Sequence, residues 1–260
     1  MTNPIVTFFQ SNDTTQFTTA NPINLGNVGA GSEGTPVTVN VWNHKGGTTN
    51  KAKMFDVQAT TVTVNGFYSG DTISNGKNVV EMKYVQIALN DGIDTYLAVG
   101  GATMKNLPTI RGDRLNTPTG VPTGTPGVGE GNVAAGTYYY RVSALDETGE
   151  TRCGTESAAV IVGTPNNQVS LTWTAVPDAS SYKVFRTTTA GSYGANSLIL
   201  NVATNSHLDV AASPTTGQPL ETQTCTFGHK RSIFLRASPP TNASGGIQNW
   251  NLRVLYKYVL

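Results

Sequence analysis

Gly136-Thr-Tyr-Tyr-Tyr-Arg-Val-Ser-Ala-Leu-Asp146 puts Tyr138, Tyr140, Val142 and Ala144 at every second position. A period of two sends those side chains to one face of a strand, whereas a helix would group apolar residues three and four apart. Val169-Ser-Leu-Thr-Trp173 repeats the pattern through Val169, Leu171 and Trp173. A turn at Pro177-Asp178 leads into Ser181-Tyr-Lys-Val-Phe-Arg186, and residues 198–202 and 207–210 continue the meander. Outward from this segment the same period returns. Val37, Val39 and Val41 alternate with Thr38, Asn40 and Trp42, and Val62 and Val64 alternate with Thr61 and Thr63 up to the turn pair Asn65-Gly66. Val85, Ile87 and Leu89 share a face, as do Trp250, Leu252, Val254, Tyr256 and Tyr258. Asn43-His44-Lys45-Gly46-Gly47 and Ser74-Asn75-Gly76 supply the residues that tolerate positive φ in turns. No window of a dozen residues keeps a helical period, and residues 103–107 predict one helical turn at most. The expected fold is all-β.

The composition changes after Leu115. Residues 116–127 are a Pro/Gly/Thr stretch with few core-forming side chains, and residues 213–219 are a second such stretch. Both read as boundaries. Beyond the second boundary the chain offers only two strands, which cannot bury a core by themselves. They are expected to complete the sheets begun near the N-terminus. The organisation predicted is a domain of residues 1–116 together with 219–260, split by an inserted domain of residues 117–218. Phe8, Phe9 and Phe17 sit in a polar opening segment that reads either as an edge strand of the outer domain or as an arm for a neighbouring subunit.

The middle segment resembles the fibronectin type III family. The resemblance rests on the core-Trp strand Leu171-Thr-Trp173, the following strand Ser181–Arg186, and the Tyr-rich strand Gly136–Ala144, and it covers roughly residues 128–210. It departs from the family in order, since the Tyr-rich strand precedes the Trp strand, which implies either a circular permutation or a different pairing of the first strands. The outer part is similar to Ig-like domains of bacterial surface and phage proteins, through the entry Asn24–Ser32 before strand Val37–Trp42 and the ending with Pro239-Pro240, Gly245-Gly246-Ile247 and Leu252-Arg253-Val254. Together these imply two β-sandwich modules, an Ig-like domain split by an inserted fibronectin type III-like domain.

Bulk properties narrow the function classes. The 260 residues carry a formal net charge of +1, and only 13% are charged. Phosphate neutralisation needs a basic face, and the basic residues here are scattered, so no nucleic acid is expected as a partner. The opening Met1-Thr-Asn-Pro-Ile-Val has no basic start and no apolar run, so no secretory signal is expected. No stretch approaches the ~20 apolar residues of a membrane span. Cys153 and Cys225 read as two free thiols or one bridge.

His44, His207 and His229 stand in no metal-ligand spacing. Asp91 with Asp94, and Asp146 with Glu147 and Glu150, read as acidic turns, since the later ligands of a calcium loop are missing. The glycine clusters at 26–31 and 127–131 open no helix. Arg111-Gly112-Asp113 reads as a hinge beside the linker. Trp173 and Tyr182 are assigned to core packing, and Tyr139 points away from Tyr138 and Tyr140. No catalytic, cofactor-binding or metal-binding residues are expected, and binding residues are left unassigned.

The expectation is therefore a non-enzymatic virion structural protein of a tailed bacteriophage, made in the host cytoplasm and placed in the tail, baseplate, neck or capsid surface. Extracellular-type β-modules without an export signal fit a particle released by lysis. Its partners would be other virion proteins and copies of itself in a symmetric assembly, with host surface glycans open for the projecting module. The alternative is a carbohydrate-binding or adhesive module of a bacterial surface protein.

Overall fold

The computed structural model describes residues 2–68 and 70–259. Seven strands and one short helix come first: β1 (Val6–Phe9), β2 (Val37–Gly47), β3 (Lys51–Thr63), α1 (Lys77–Glu81), β4 (Val85–Ala88), β5 (Leu97–Val99), β6 (Lys105–Leu107) and β7 (Ile110–Gly112). The middle of the chain holds β8 (Thr123–Gly127), β9 (Gly136–Asp146), β10 (Gly149–Glu150), β11 (Val160–Val162), β12 (Gln168–Thr172), β13 (Ser181–Thr187), β14 (Leu198–Val202) and β15 (Ser206–Asp209). The end supplies β16 (Phe227–Ala237) and β17 (Trp250–Lys257). The protein is all-β, as the period-two patterning predicts. By its contacts it divides into two compact units, one made of Met1–Asp113 with Phe227–Leu260 and the other of Arg114–Thr226.

The first unit has two sheets. One runs β1-β2-β16-β4-β5, and the other runs β17-β3-β6 with β7 also on β3. Val39, Val41, Ile87, Ile233 and Leu235 from the first sheet meet Met54, Val57, Ala59 and Ile110 from the second, each 1% exposed or less. Burial of this kind contributes roughly 1.5–3 kcal/mol per large aliphatic side chain. The Phe-containing opening is an edge strand of this unit, with Phe8 opposite Val41 on β2.

Four segments differ from what local pattern suggests. The segment Asn43–Gly47 is not a hairpin turn but the end of β2. Its positive φ at His44 and Gly46 makes a bulge against β16, where residues 44–46 stand opposite the single Gly228. Residues 105–107 extend as β6 against β3 instead of coiling, because Leu107 is buried there opposite Val57. The outer face of β2 is not solvated. Asn40 and Trp42 are buried because the loop after β1 folds over them, and Asp13 accepts hydrogen bonds from Asn40 Nδ2 (2.8 Å) and Trp42 Nε1 (2.7 Å). Lys230 of β16 pairs with the same carboxylate. In β3, Thr61 and Thr63 are as buried as Val62, and the Thr61 hydroxyl donates to the Val99 carbonyl (3.3 Å). Hydroxyls with partners can be buried at little cost, so the threonine face of this strand is covered as well as the valine face.

The second unit pairs β10-β9-β13-β14, with β11 also on β9, and faces this with β15-β12-β8. Tyr138, Tyr140, Val142 and Ala144 of β9 pack with Val169 and Leu171 of β12 and with Trp173 just beyond it. Trp173 and Tyr182 stack edge to face with ring centroids 5.5 Å apart. The Pro/Gly/Thr stretch contributes a strand after all. Pro126 lies opposite Val169 in β8, which ends its sheet beside β12. An edge strand tolerates a residue without an N–H. At the other limit, Thr224 and Cys225 donate backbone hydrogen bonds to the Glu150 carbonyl, so residues up to Thr226 are tied into this unit.

Candidate functional site

The titratable residues singled out by sequence are engaged in local structure. Asp94 accepts from the backbone N–H groups of Leu89 and Asn90, both at 3.2 Å, and Asp91 accepts from the Tyr96 hydroxyl at 2.9 Å. Burial, with the Asp91 bond second, pushes the Tyr96 phenol up to about 12. Asp146 accepts from the N–H and hydroxyl of Thr148. Glu150 takes the Ser143 hydroxyl on one oxygen and Lys183 on the other, both at 2.6 Å. Arg111 is buried in β7 and donates to the Asp113 carbonyl (2.7 Å), so the first two residues of the Arg-Gly-Asp triplet lie in a paired strand, while Asp113 follows it at the point where the first unit gives way to the second.

His44 and His207 belong to different units, and burial holds each below the usual imidazole value. Lys51 adds to the effect at His44, and Asp209 opposes it at His207. Cys153 and Cys225 are not joined to one another by a disulfide. Burial raises the Cys153 thiol to about 12, and the Glu150 charge adds to this, so its thiolate is scarce at neutral pH. Tyr139 is half-buried on the face opposite Tyr138 and Tyr140.

A buried network not anticipated from the sequence joins the two sheets of the second unit. Arg186 of β13 and Asp209 of β15 form an ion pair at 2.8 Å, with side chains 2% and 0% exposed. The Tyr140 hydroxyl donates to the same Asp209 oxygen at 2.9 Å. Arg186 also donates to the carbonyls of Ala211 and Ala212, and its guanidinium lies 5.0 Å from the Tyr138 ring centroid. The network is closed by its own members and holds the sheets together.

The second cluster missed by the sequence reading is apolar and exposed. At one end of the first unit, the loop between β3 and α1 presents Val64, Phe67, Tyr68 and Ile73, with Phe67 58% exposed. Ile247, 86% exposed, precedes β17. The two loops are tied together. Asn249 N donates to the Ser74 carbonyl (3.0 Å), Asn251 Nδ2 to the Val64 carbonyl (3.0 Å), and the Arg253 guanidinium sits 5.5 Å from the Tyr68 ring centroid. Gly76 fits between them because any side chain there would meet the Asn249 carbonyl. Large exposed apolar side chains brought together by two tied loops are a candidate interaction surface. The signal was present in the sequence: Phe67, Tyr68 and Ile73 occur in a polar, turn-forming stretch with no strand to serve.

No protein-family model matches the chain, and neither does any curated protein or solved structure. Chemistry therefore has to be argued from the surfaces themselves. A groove of about 440 Å³ runs along the glycine-rich loop of residues 24–34 in the first unit. Its walls are mostly small polar side chains and backbone, and Glu33 there is paired with Arg236 at 2.5 Å. Among the described residues no helix is long and apolar enough to cross a membrane. The buried ion pair of Arg186 and Asp209 joins the sheets of the second unit, and the first unit presents the exposed apolar loops described above.

Proposed function

We propose that the chain is a non-enzymatic structural protein of a tailed-phage particle, which docks by the apolar end of its first unit and carries the second unit as a fibronectin type III-like module. The exposed cluster of Val64, Phe67, Tyr68, Ile73 and Ile247 carries the docking part of this reading. A solvated monomer gains nothing from holding five large apolar side chains at one end, whereas a subunit in an assembly covers them.

The module assignment is supported by pairing. In Ig-type sandwiches, strands A, B and E lie in one sheet and C, F and G in the other. Here β12 lies between β8 and β15, and β9 pairs with β11 and β13. With β12 as B and β13 as C, the Tyr-rich β9 takes the F position and β11 the G position. The chain order is then a permuted one, which accounts for the Tyr-rich strand preceding the Trp strand. A second support is Tyr138, near the start of β9, whose hydroxyl donates to the Ala134 carbonyl four residues upstream (2.9 Å). A tyrosine corner at the start of strand F makes a hydrogen bond of this kind, which favours the proposed assignment.

Mass spectrometry and cryo-microscopy of purified particles of the phage encoding this chain test the proposal. The chain is expected in the particle, and Phe67→Asp combined with Ile247→Asp is expected to remove it while leaving the circular dichroism of the isolated protein unchanged. Absence of the unsubstituted chain from purified particles overturns the reading.

A further inference from the structure

β17 is an edge strand with an unused side. It pairs with β3 from Trp250↔Thr63 to Lys257↔Phe55, and among the described residues no backbone hydrogen bond or bridge joins it to any other segment. An edge leaves every second residue's N–H and C=O pointing outward. Its side chains are also incompletely covered. Trp250, Leu252, Val254 and Tyr256 pack against the core of the first unit yet stay half-buried, and Leu255 is half-buried on the other face. Natural edges of this length are usually guarded by proline, charge, bulges or brevity, and β17 has part of this guard in Arg253, in Lys257 and in a register shift with β3 between Leu255 and Lys257. β17 has eight residues, no proline, and apolar residues at all its core-facing positions. With a net charge of +1, two copies do not repel each other strongly.

We propose that β17 pairs antiparallel with β17 of a second copy across a two-fold axis at Val254. The register follows from face matching and charge. In an antiparallel pair, residues directly opposite share a face, so the paired numbers must sum to an even value. Centring on Arg253 sets Arg253 against its own copy, and centring on Leu255 sets Arg253 against Lys257. Both oppose like charges. Centring on Val254 sets Leu252 against Tyr256 on the core face, and Arg253 against Leu255 and Asn251 against Lys257 on the other. That register opposes no like charges and sets the half-open apolar face beside the same face of the partner copy; centring on Leu252 or Tyr256 also avoids like charges but pairs a shorter part of the strand. A ladder of about seven residues is roughly 24 Å long, which makes a small interface and a concentration-dependent dimer. This inference does not rest on the phage assignment, and a lone dimer in solution satisfies it.

The test uses the full chain, with sedimentation velocity for assembly and cysteine crosslinking for register. Val254→Cys is expected to form an intermolecular disulfide on mild oxidation, since opposed strand residues have Cα atoms about 4.5–5.5 Å apart, within disulfide reach. Arg253→Cys and Leu255→Cys are each expected to crosslink poorly alone and well when mixed, because those positions oppose one another. The unsubstituted chain, with Cys153 and Cys225, is the control for background. Leu255→Glu is expected to tighten the dimer several-fold by facing Arg253 of the other copy, and Leu255→Lys to weaken it several-fold. Three results overturn the proposal: a monomer at about 1 mM, the weak end of specific association; a dimer that Val254→Cys does not trap; or a dimer indifferent to the charge at position 255.

Discussion

Arg186 follows Tyr182 and Val184 at the same strand phase, and that phase points into the sandwich. A guanidinium there must meet a carboxylate or cost several kcal/mol, and Asp209 supplies it. Removing one partner leaves the other charge buried alone. Asp209→Ala is therefore expected to destabilise the second unit by about 3–5 kcal/mol. In scanning calorimetry the transition of that unit should fall by on the order of 10–20 °C, while the transition of the first unit stays. The double change Arg186→Met with Asp209→Leu should recover most of the loss, because an apolar pair of similar volume needs no compensation. An equal fall in the double variant would mean that the Tyr140 and carbonyl bonds, and not charge pairing, hold this site. The sequence carried half of this. Phase places Arg186 inside and calls for an acid, but periodicity names a face and never a partner, and Asp209 lies in the opposite sheet.

Strands were legible where one face is apolar and the other polar, as in β9 and β17, and less so where tertiary contacts cover both. Alternation sets Asn40 and Trp42 on the face away from Val39 and Val41, and nothing local reveals that Asp13, on a loop 27 residues earlier than Asn40, folds over that face. Residues 103–107 are too few to hold a period, so pairing with β3 decided their state. α1 escaped notice for a related reason: it is five residues long, lacks a side-chain cap, and is held by the burial of Val79 and Val80. The cluster Asn43–Gly47 advertised positive φ correctly and the hairpin wrongly, since the positive φ serves a bulge opposite Gly228. Gly228 itself has φ 94°, and a side chain there would stand against the carbonyls of Asn43 and His44. Gly228→Ala is expected to cost about 1–3 kcal/mol. Hydrogen exchange should show the loss as faster exchange in β2 and β16, with β9 and β13 unchanged. Uniform acceleration through both units would instead mean that the bulge sets the stability of the whole chain.

The two units differ in how the chain builds them. The second is continuous, and its ends meet within it: the Cys225 thiol lies 3.9 Å from the Leu115 carbonyl. The first is discontinuous, and its cut ends also meet within it, with Gly228 N donating to the Asp113 carbonyl at 3.2 Å. Each unit has a core of its own. Two such closures, one on each side of the junction, are what a loop insertion requires, because neither body then needs the other to bring its ends together. Residues 114–226 alone should therefore fold, with a cooperative thermal transition and the near-ultraviolet dichroism of a packed Trp173. Residues 1–113 joined to 227–260 through a few Gly and Ser residues should fold as well, since a short linker across ends already in contact has little closure entropy to overcome. The harder half is the outer one. Its β2–β16 pairing joins residues nearly two hundred positions apart, and deleting the insert shortens that loop, so refolding should be faster than in the full chain at similar stability. Stopped-flow refolding of the joined chain measures this directly. A joined chain that stays unfolded, or that refolds more slowly than the parent, would mean that the middle segment is needed to assemble the outer sheets.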